Sequence, residues 1–103
     1  MPELKIKQVV YTNTSLKNAT AIKKYLLHKF TQKEVDHFFS LLQSFEAAVV
    51  PFPKLYPTTN KKKNIRRAVL SKALSVFYRI ENSTIEVLAI LDNRCDLEEW
   101  IGK

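Results

Sequence analysis

Residues 65–91 read IRRAVLSKALSVFYRIENSTIEVLAIL. Ile65, Arg67 and Val69 alternate with Arg66, Ala68 and Leu70, and Leu74, Val76, Tyr78 and Ile80 alternate with Ser75, Phe77 and Arg79. A period of two is the mark of a strand with one face against a core. Residues 84–91 turn apolar on both faces late in the run, as a central strand does. Ser71-Lys72-Ala73 and Asn82-Ser83 separate the three runs, and the second pair is short enough for a tight hairpin turn. The stretch therefore predicts three consecutive strands, largely antiparallel. Leu74, Val76, Tyr78 and Ile80 should face the core, with Ser75, Phe77 and Arg79 facing out.

Upstream, the period changes. Leu16, Ala19, Ile22, Leu26 and Phe30 follow steps of three and four, which predicts a helix over about 15–29. Thr31-Gln32-Lys33-Glu34 has the form of a capping box, with Phe30 and Val35 at the staple positions. The next helix should carry Val35, Phe38, Phe39, Leu42, Phe45 and Val49 on one stripe and stop at Pro51 and Pro53. Two amphipathic helices with almost no connection make an antiparallel hairpin. Before them, residues 4–11 (LKIKQVVY) alternate as a strand, and Asn13, Thr14 and Ser15 form a polar break with capping character. Residues 51–63 read as a proline-restrained loop. The expected order is β-α-α-β-β-β: an α+β domain over residues 1–103, with a helical hairpin on one face of a mostly antiparallel four-stranded sheet.

Charge is uneven along this frame. The chain carries +7, and residues 51–80 alone hold eight cations and no carboxylate, so the remainder sums to −1. The acid-free run extends from Ala47 to Ile80. A single-sign patch attracts polyanions or acidic proteins. Lys61, Lys62, Lys63, Arg66, Arg67 and Arg79, joined by Arg94 after the last strand, are the candidate target- or RNA-binding residues, and the outward sheet face is the expected working surface. Arg66 and Arg67 are adjacent in a strand, so one of them must face the helix layer and reach its edge.

Several function classes drop out. One glycine, Gly102, leaves no glycine-rich phosphate loop. One cysteine, Cys95, allows no internal disulfide and no metal-ligand spacing, and His28 and His37 lie on separate helices, so neither a metal nor a cofactor is expected. No run approaches a spanning helix and the N-terminus lacks an apolar leader core, so a cytoplasmic protein without a membrane role is expected.

With PFPKLYP leading into the sheet, then RRAVLSKALSVFYRI and IEVLAILDNRCD, the chain resembles the RelE/ParE superfamily of bacterial type II toxins over about residues 4–100. It is closest to the ParE-like and plasmid-stabilisation branches, and FYRI followed by ILDNR is the most distinctive part. The resemblance implies a small cytosolic toxin held inactive by a cognate acidic antitoxin in a hetero-oligomer. It also implies one of two targets: the ribosome, where some members cut mRNA, or DNA gyrase, which others inhibit. Against the cleaving members, Arg66 resembles a strand lysine, Arg94 the arginine after the last strand, and Trp100 stands where they carry a tyrosine. These three are the candidate catalytic residues. Ser75 and Ala68 replace a further arginine and lysine, no tyrosine follows Tyr78, and no histidine follows His37. Cleavage at a 2′-hydroxyl needs a base and a proton donor as well as charge. Arginine stays protonated and indole has no ionisable hydroxyl. Three readings stay open at this point: a target-binding toxin, a ribosome-dependent mRNA endoribonuclease, and a non-toxic nucleic-acid- or protein-binding module.

Overall fold

Thr12 sets the start of the first helix. Its side-chain oxygen accepts from the Ser15 amide at 3.2 Å, and its own hydroxyl donates to the Leu88 carbonyl at 3.1 Å. The computed structural model describes residues 5–96. In chain order these hold β1 (Gln8–Tyr11), α1 (Asn13–Lys29), α2 (Gln32–Val49), β2 (Thr58–Asn60), β3 (Ile65–Val69), β4 (Leu74–Glu81) and β5 (Thr84–Asp92). The two helices pack on one face of a five-stranded sheet of order β1-β5-β4-β3-β2. β1 runs parallel to β5, and every other pair is antiparallel.

The α+β architecture matches the sequence expectation, with one more strand than expected. Residues 58–60 leave the proline-rich connection to pair with β3. A three-residue run is too short to show a period. β4 behaves as its alternation predicts: Leu74, Val76 and Tyr78 are buried against the helices. Ser75 lies on the other face and is buried as well, because Arg67 covers it. The β4–β5 hairpin closes through Asn82-Ser83, where Asn82 takes φ 55°, a left-handed conformation that asparagine tolerates. Its register slips between Phe77↔Ala89 and Tyr78↔Val87, which makes Leu88 a bulge residue. That bulge presents the carbonyl that Thr12 binds.

Both helices depart in part from the expected stripes. On α2, Val35, Phe38, Leu42, Phe45 and Val49 are buried while Phe39 is exposed and rests on the Phe38 ring at 5.0 Å. On α1 the buried side is Ser15, Asn18, Ala21, Ile22 and Leu26, and Leu16 is 51% exposed. β1 ends opposite Val87, so the β5 backbone beyond it lacks a strand on that side. Asn18 Oδ1 fills the gap by accepting from the Ile90 amide at 3.0 Å, and Ser15 Oγ donates to the Thr12 carbonyl at 2.8 Å. These bonds draw two polar residues inward and turn Leu16 to solvent. The capping box does not close either. Thr31 starts α2 without a side-chain bond, its carbonyl accepting from the Glu34 amide, and the Glu34 carboxylate instead lies 3.9 Å from Arg94.

β1 is tied to α2 by Tyr11, whose hydroxyl donates to Glu46 Oε2 at 2.8 Å. Burial, then the hydrogen bond and charge of Glu46, raise the Tyr11 pKa far above its ordinary 10.0. A raised folded value means that the fold favours the protonated phenol. This contribution is complete below the unfolded value and is lost as pH rises through the folded one. Above about pH 10 the wild type should therefore lose up to about 1.4 kcal/mol per pH unit relative to Tyr11→Phe. Urea midpoints of both proteins in neutral and alkaline buffer measure this. Parallel pH profiles would show that Tyr11 is not the titrating link.

Candidate functional site

Strand parity decides where the cations go. Arg66 and Arg67 are consecutive in β3, so their side chains leave opposite faces of the sheet. Arg66 stands opposite Tyr78 and Arg67 opposite Phe77. Arg66 takes the helix side and reaches the sheet edge, where Nη1 donates to the Tyr56 carbonyl at 2.6 Å and lies 3.4 Å from that of Lys54. Its Nε is buried, with no hydrogen-bond partner among the described residues. Arg67 takes the open face. Its Nε and Nη2 both donate to Ser75 Oγ, at 3.2 and 3.1 Å, and its guanidinium carbon lies 5.6 Å from the centroid of the Phe77 ring.

Arg79 shares the open face but is neutralised there. Its Nε lies 2.7 Å from Glu86 and 3.5 Å from Glu81. Arg94 grips Asp92 in a fork, Nε to Oδ1 at 3.1 Å and Nη2 to Oδ2 at 2.8 Å, and its guanidinium carbon sits 5.4 Å from the Phe30 ring centroid. Asp92 is 1% exposed. Its hydrogen bond raises the Arg94 pKa, against the opposing effect of partial burial and with help from the charges of Asp92 and Glu34. Lys61, Lys62 and Lys63 are exposed at the turn between β2 and β3, where Asn60 Oδ1 accepts from the Lys63 amide at 3.1 Å and Asn64 takes φ 56°. Trp100 lies outside the described residues.

The open face thus does not gather the predicted cations. Among the described residues it brings Arg67 onto the sheet and the three lysines to a neighbouring tip. Arg66 is turned to the loop edge, and Arg79 and Arg94 are held by carboxylates of the same chain. Arg66 and Arg94 are also far apart. Arg66 pairs with Tyr78, whereas Asp92, which Arg94 grips, pairs with Leu74, four positions away along β4 and with that one strand between. That corresponds to roughly 13 Å along the strands and about 10 Å across them. Two side chains so placed and so engaged do not converge on a single phosphate.

Sequence reasoning missed two further features. One is a cleft of about 450 Å³ between α2 and the β3–β4 turn, lined in part by Glu34, His37, Leu41, Lys72, Asp92 and Arg94. The other is the 51–57 connection, which is held by side chains of the sheet rather than left loose. Tyr78 donates its hydroxyl to the Pro53 carbonyl at 2.9 Å, next to the carbonyls held by Arg66. Three prolines hinted at restraint there, but the partners become visible only in the fold. Among the described residues, no cluster of three or more His, Cys, Asp or Glu is placed to hold a metal, and no helix is long and apolar enough to cross a membrane.

Among solved structures, a chain of the chromosomal ParDE TA system from P. aeruginosa superposes with a TM-score of 0.62, covering 87% of this chain and 98% of its own at 14% identity. This chain shares the fold of that ParDE-system chain. A conserved hypothetical protein from Helicobacter pylori, HP0894, is similar to it with a TM-score of 0.54 over 90% of this chain and 98% of its own, at 16% identity. No protein-family model matches the sequence, and no curated protein matches it significantly. The likeness is therefore one of backbone, a helical hairpin on a five-stranded sheet.

Proposed function

We propose that this chain is the toxin of a bacterial type II toxin–antitoxin system. On this reading it arrests growth by binding a macromolecular target, DNA gyrase or the ribosome, in the cytoplasm, and a cognate acidic antitoxin neutralises it in a hetero-oligomer. The observation that carries the proposal is the superposition on a ParDE chain over nearly the full length of both. Arg67 supports a target contact on the open sheet face, since Ser75 and Phe77 hold its guanidinium in place without neutralising it. The lysines at 61–63 extend the same charge beyond the sheet edge. The different sheet positions of Arg66 and of Asp92, which holds Arg94, and the poor fitness of arginine as a general base favour binding over RNA cleavage.

Inducible expression in a bacterial host tests the reading. Growth should stop, and separate measurement of DNA, RNA and protein synthesis should show which process fails first. Arg67→Glu should relieve the arrest, because charge reversal at a desolvated contact weakens binding about tenfold or more. Arg79→Gln should leave it intact, since Glu86 already neutralises Arg79. A supercoiling assay with purified gyrase and primer extension on ribosome-bound mRNA separate the targets, and new RNA 5′ ends would establish cleavage instead. Unimpaired growth at verified soluble expression would refute the toxin role and leave a binding module.

A further inference from the structure

The connection between α2 and β2 displays what a stable loop ordinarily hides. Phe52 is 66% and Leu55 56% exposed, and Val50 beside them is also exposed. The Leu55 amide donates to the Phe52 carbonyl at 3.0 Å. The four residues thus form a β-turn with Pro53 at the position where proline is favoured, which brings Phe52 and Leu55 to the two sides of one knob. Single exposed apolar residues are common on soluble proteins. A neighbouring pair on a fixed turn is a different case.

The turn is fixed from below. The Pro53 ring is buried, its carbonyl accepts from the buried Tyr78 hydroxyl, and Arg66 Nη1 holds the Tyr56 carbonyl. The Tyr56 ring packs on Phe45 and Tyr78, with centroids 6.2 and 6.4 Å away. Arg66 reaches this strap with its Nε buried and, among the described residues, without a hydrogen-bond partner. Rigid presentation of an aromatic and an aliphatic anchor is what a protein contact gains from, because little flexibility remains to be lost on binding.

We infer that the Phe52–Leu55 turn is a docking knob for an acidic protein segment with an apolar socket. Charge identifies the partner. Lys54 stands exposed between the two anchors, and no carboxylate occurs from Ala47 to Ile80. Glu46, just before that run, is engaged by Tyr11. A second copy of this chain would set Lys54 against its equal on a molecule of net charge +7. A nucleic acid would match the charge but offers no pocket for Leu55. The knob lies on the helix side at the β2 edge, apart from Arg67, and it stands whether or not expression arrests growth.

The test pans the purified chain against a naive display library of peptides, with the Phe52→Ser/Leu55→Ser double variant as counter-target. Recovered peptides should be rich in acidic residues flanking apolar anchors. They should bind the wild type about tenfold or more tightly than either single serine variant. Binding should weaken with added salt and with Lys54→Glu. Tyr78→Phe, which leaves the displayed side chains in place but frees the Pro53 carbonyl, should lower affinity several-fold through a looser turn. Because the anchors are exposed, the serine variants should keep the wild-type melting temperature. Three results would overturn the inference: a library with no peptide that discriminates wild type from double variant, displacement of the peptides by single-stranded oligonucleotide, or a wild-type dimer that the double variant turns into a monomer.

Discussion

Phe45→Ala should destabilise the fold by about 4 kcal/mol. The Phe45 ring is fully buried on α2, 5.4 Å from the Tyr78 centroid in an edge-on arrangement and 6.2 Å from Tyr56. Truncation removes the transfer energy of the ring, leaves a cavity, and cancels two aromatic contacts at once. A domain of this size has about 5–15 kcal/mol in all, so a large share is lost. The melting temperature should fall by roughly 20 °C. Phe45→Leu, which refills part of the volume, should cost far less, and Phe39→Ala, at an exposed ring on the same helix, should be nearly silent. Urea titrations of the three variants decide the matter. If Phe45→Ala unfolds at the same midpoint as Phe39→Ala, the aromatic cluster does not hold the helix to the sheet.

Arg94→Met should cost about 3 kcal/mol, and the asymmetry of the pair is the reason. Arg94 is partly exposed and could turn to water, whereas Asp92 is 1% exposed and cannot. Removing the arginine leaves a buried carboxylate whose remaining support, among the described residues, is the backbone amide of residue 94, 2.8 Å from Oδ1. Arg94→Met combined with Asp92→Asn should therefore recover most of the loss, because no uncompensated charge remains. Additive penalties in the double variant would show that the two residues do not act as a pair. The same cycle bears on function. If growth arrest follows stability across the four proteins, Arg94 is an anchor between β5 and the start of α2. If arrest disappears in the stable double variant, Arg94 has a direct role at the target.

Much of the architecture was legible in the sequence, and the exceptions have physical causes. β4 and most of α2 could be read because long, regular runs of Val, Leu, Phe and Tyr leave a single way to bury them. On α1, Ile22 and Leu26 are buried as expected, while Leu16 and Phe30 are exposed. No periodicity rule expects Ser15 and Asn18 to be buried; Asn18 bonds the β5 backbone beyond the end of β1, and Ser15 bonds the Thr12 carbonyl at the start of the helix. Thr31 and Glu34 have the right spacing for a reciprocal cap, but a partner 60 residues downstream, Arg94, takes the carboxylate. β2 has too few residues to announce itself.

The candidate site was the least legible part. Composition located the cations but not their directions. Parity separates Arg66 from Arg67, and that much follows from sequence. That Glu86 stands across from Arg79, or that Asp92 folds back under Arg94, depends on register and on a turn. The exposed pair Phe52 and Leu55 looked like ordinary loop residues, since nothing in PFPKLYP says that Tyr78 and Arg66 hold its carbonyls.

The parallel pairing of β1 with β5 has a consequence for how the chain folds. Gln8–Tyr11 pairs with Thr84–Val87, so among the described strands the first in the chain waits for the last. Such distant pairing slows folding, because a long stretch of chain must close on itself before any contact repays it. The helical hairpin can assemble early, whereas the sheet that carries Arg67 is finished only once β5 has joined it. A chain that ends before β5 would therefore leave β1 without its ladder partner and β4 with an open edge.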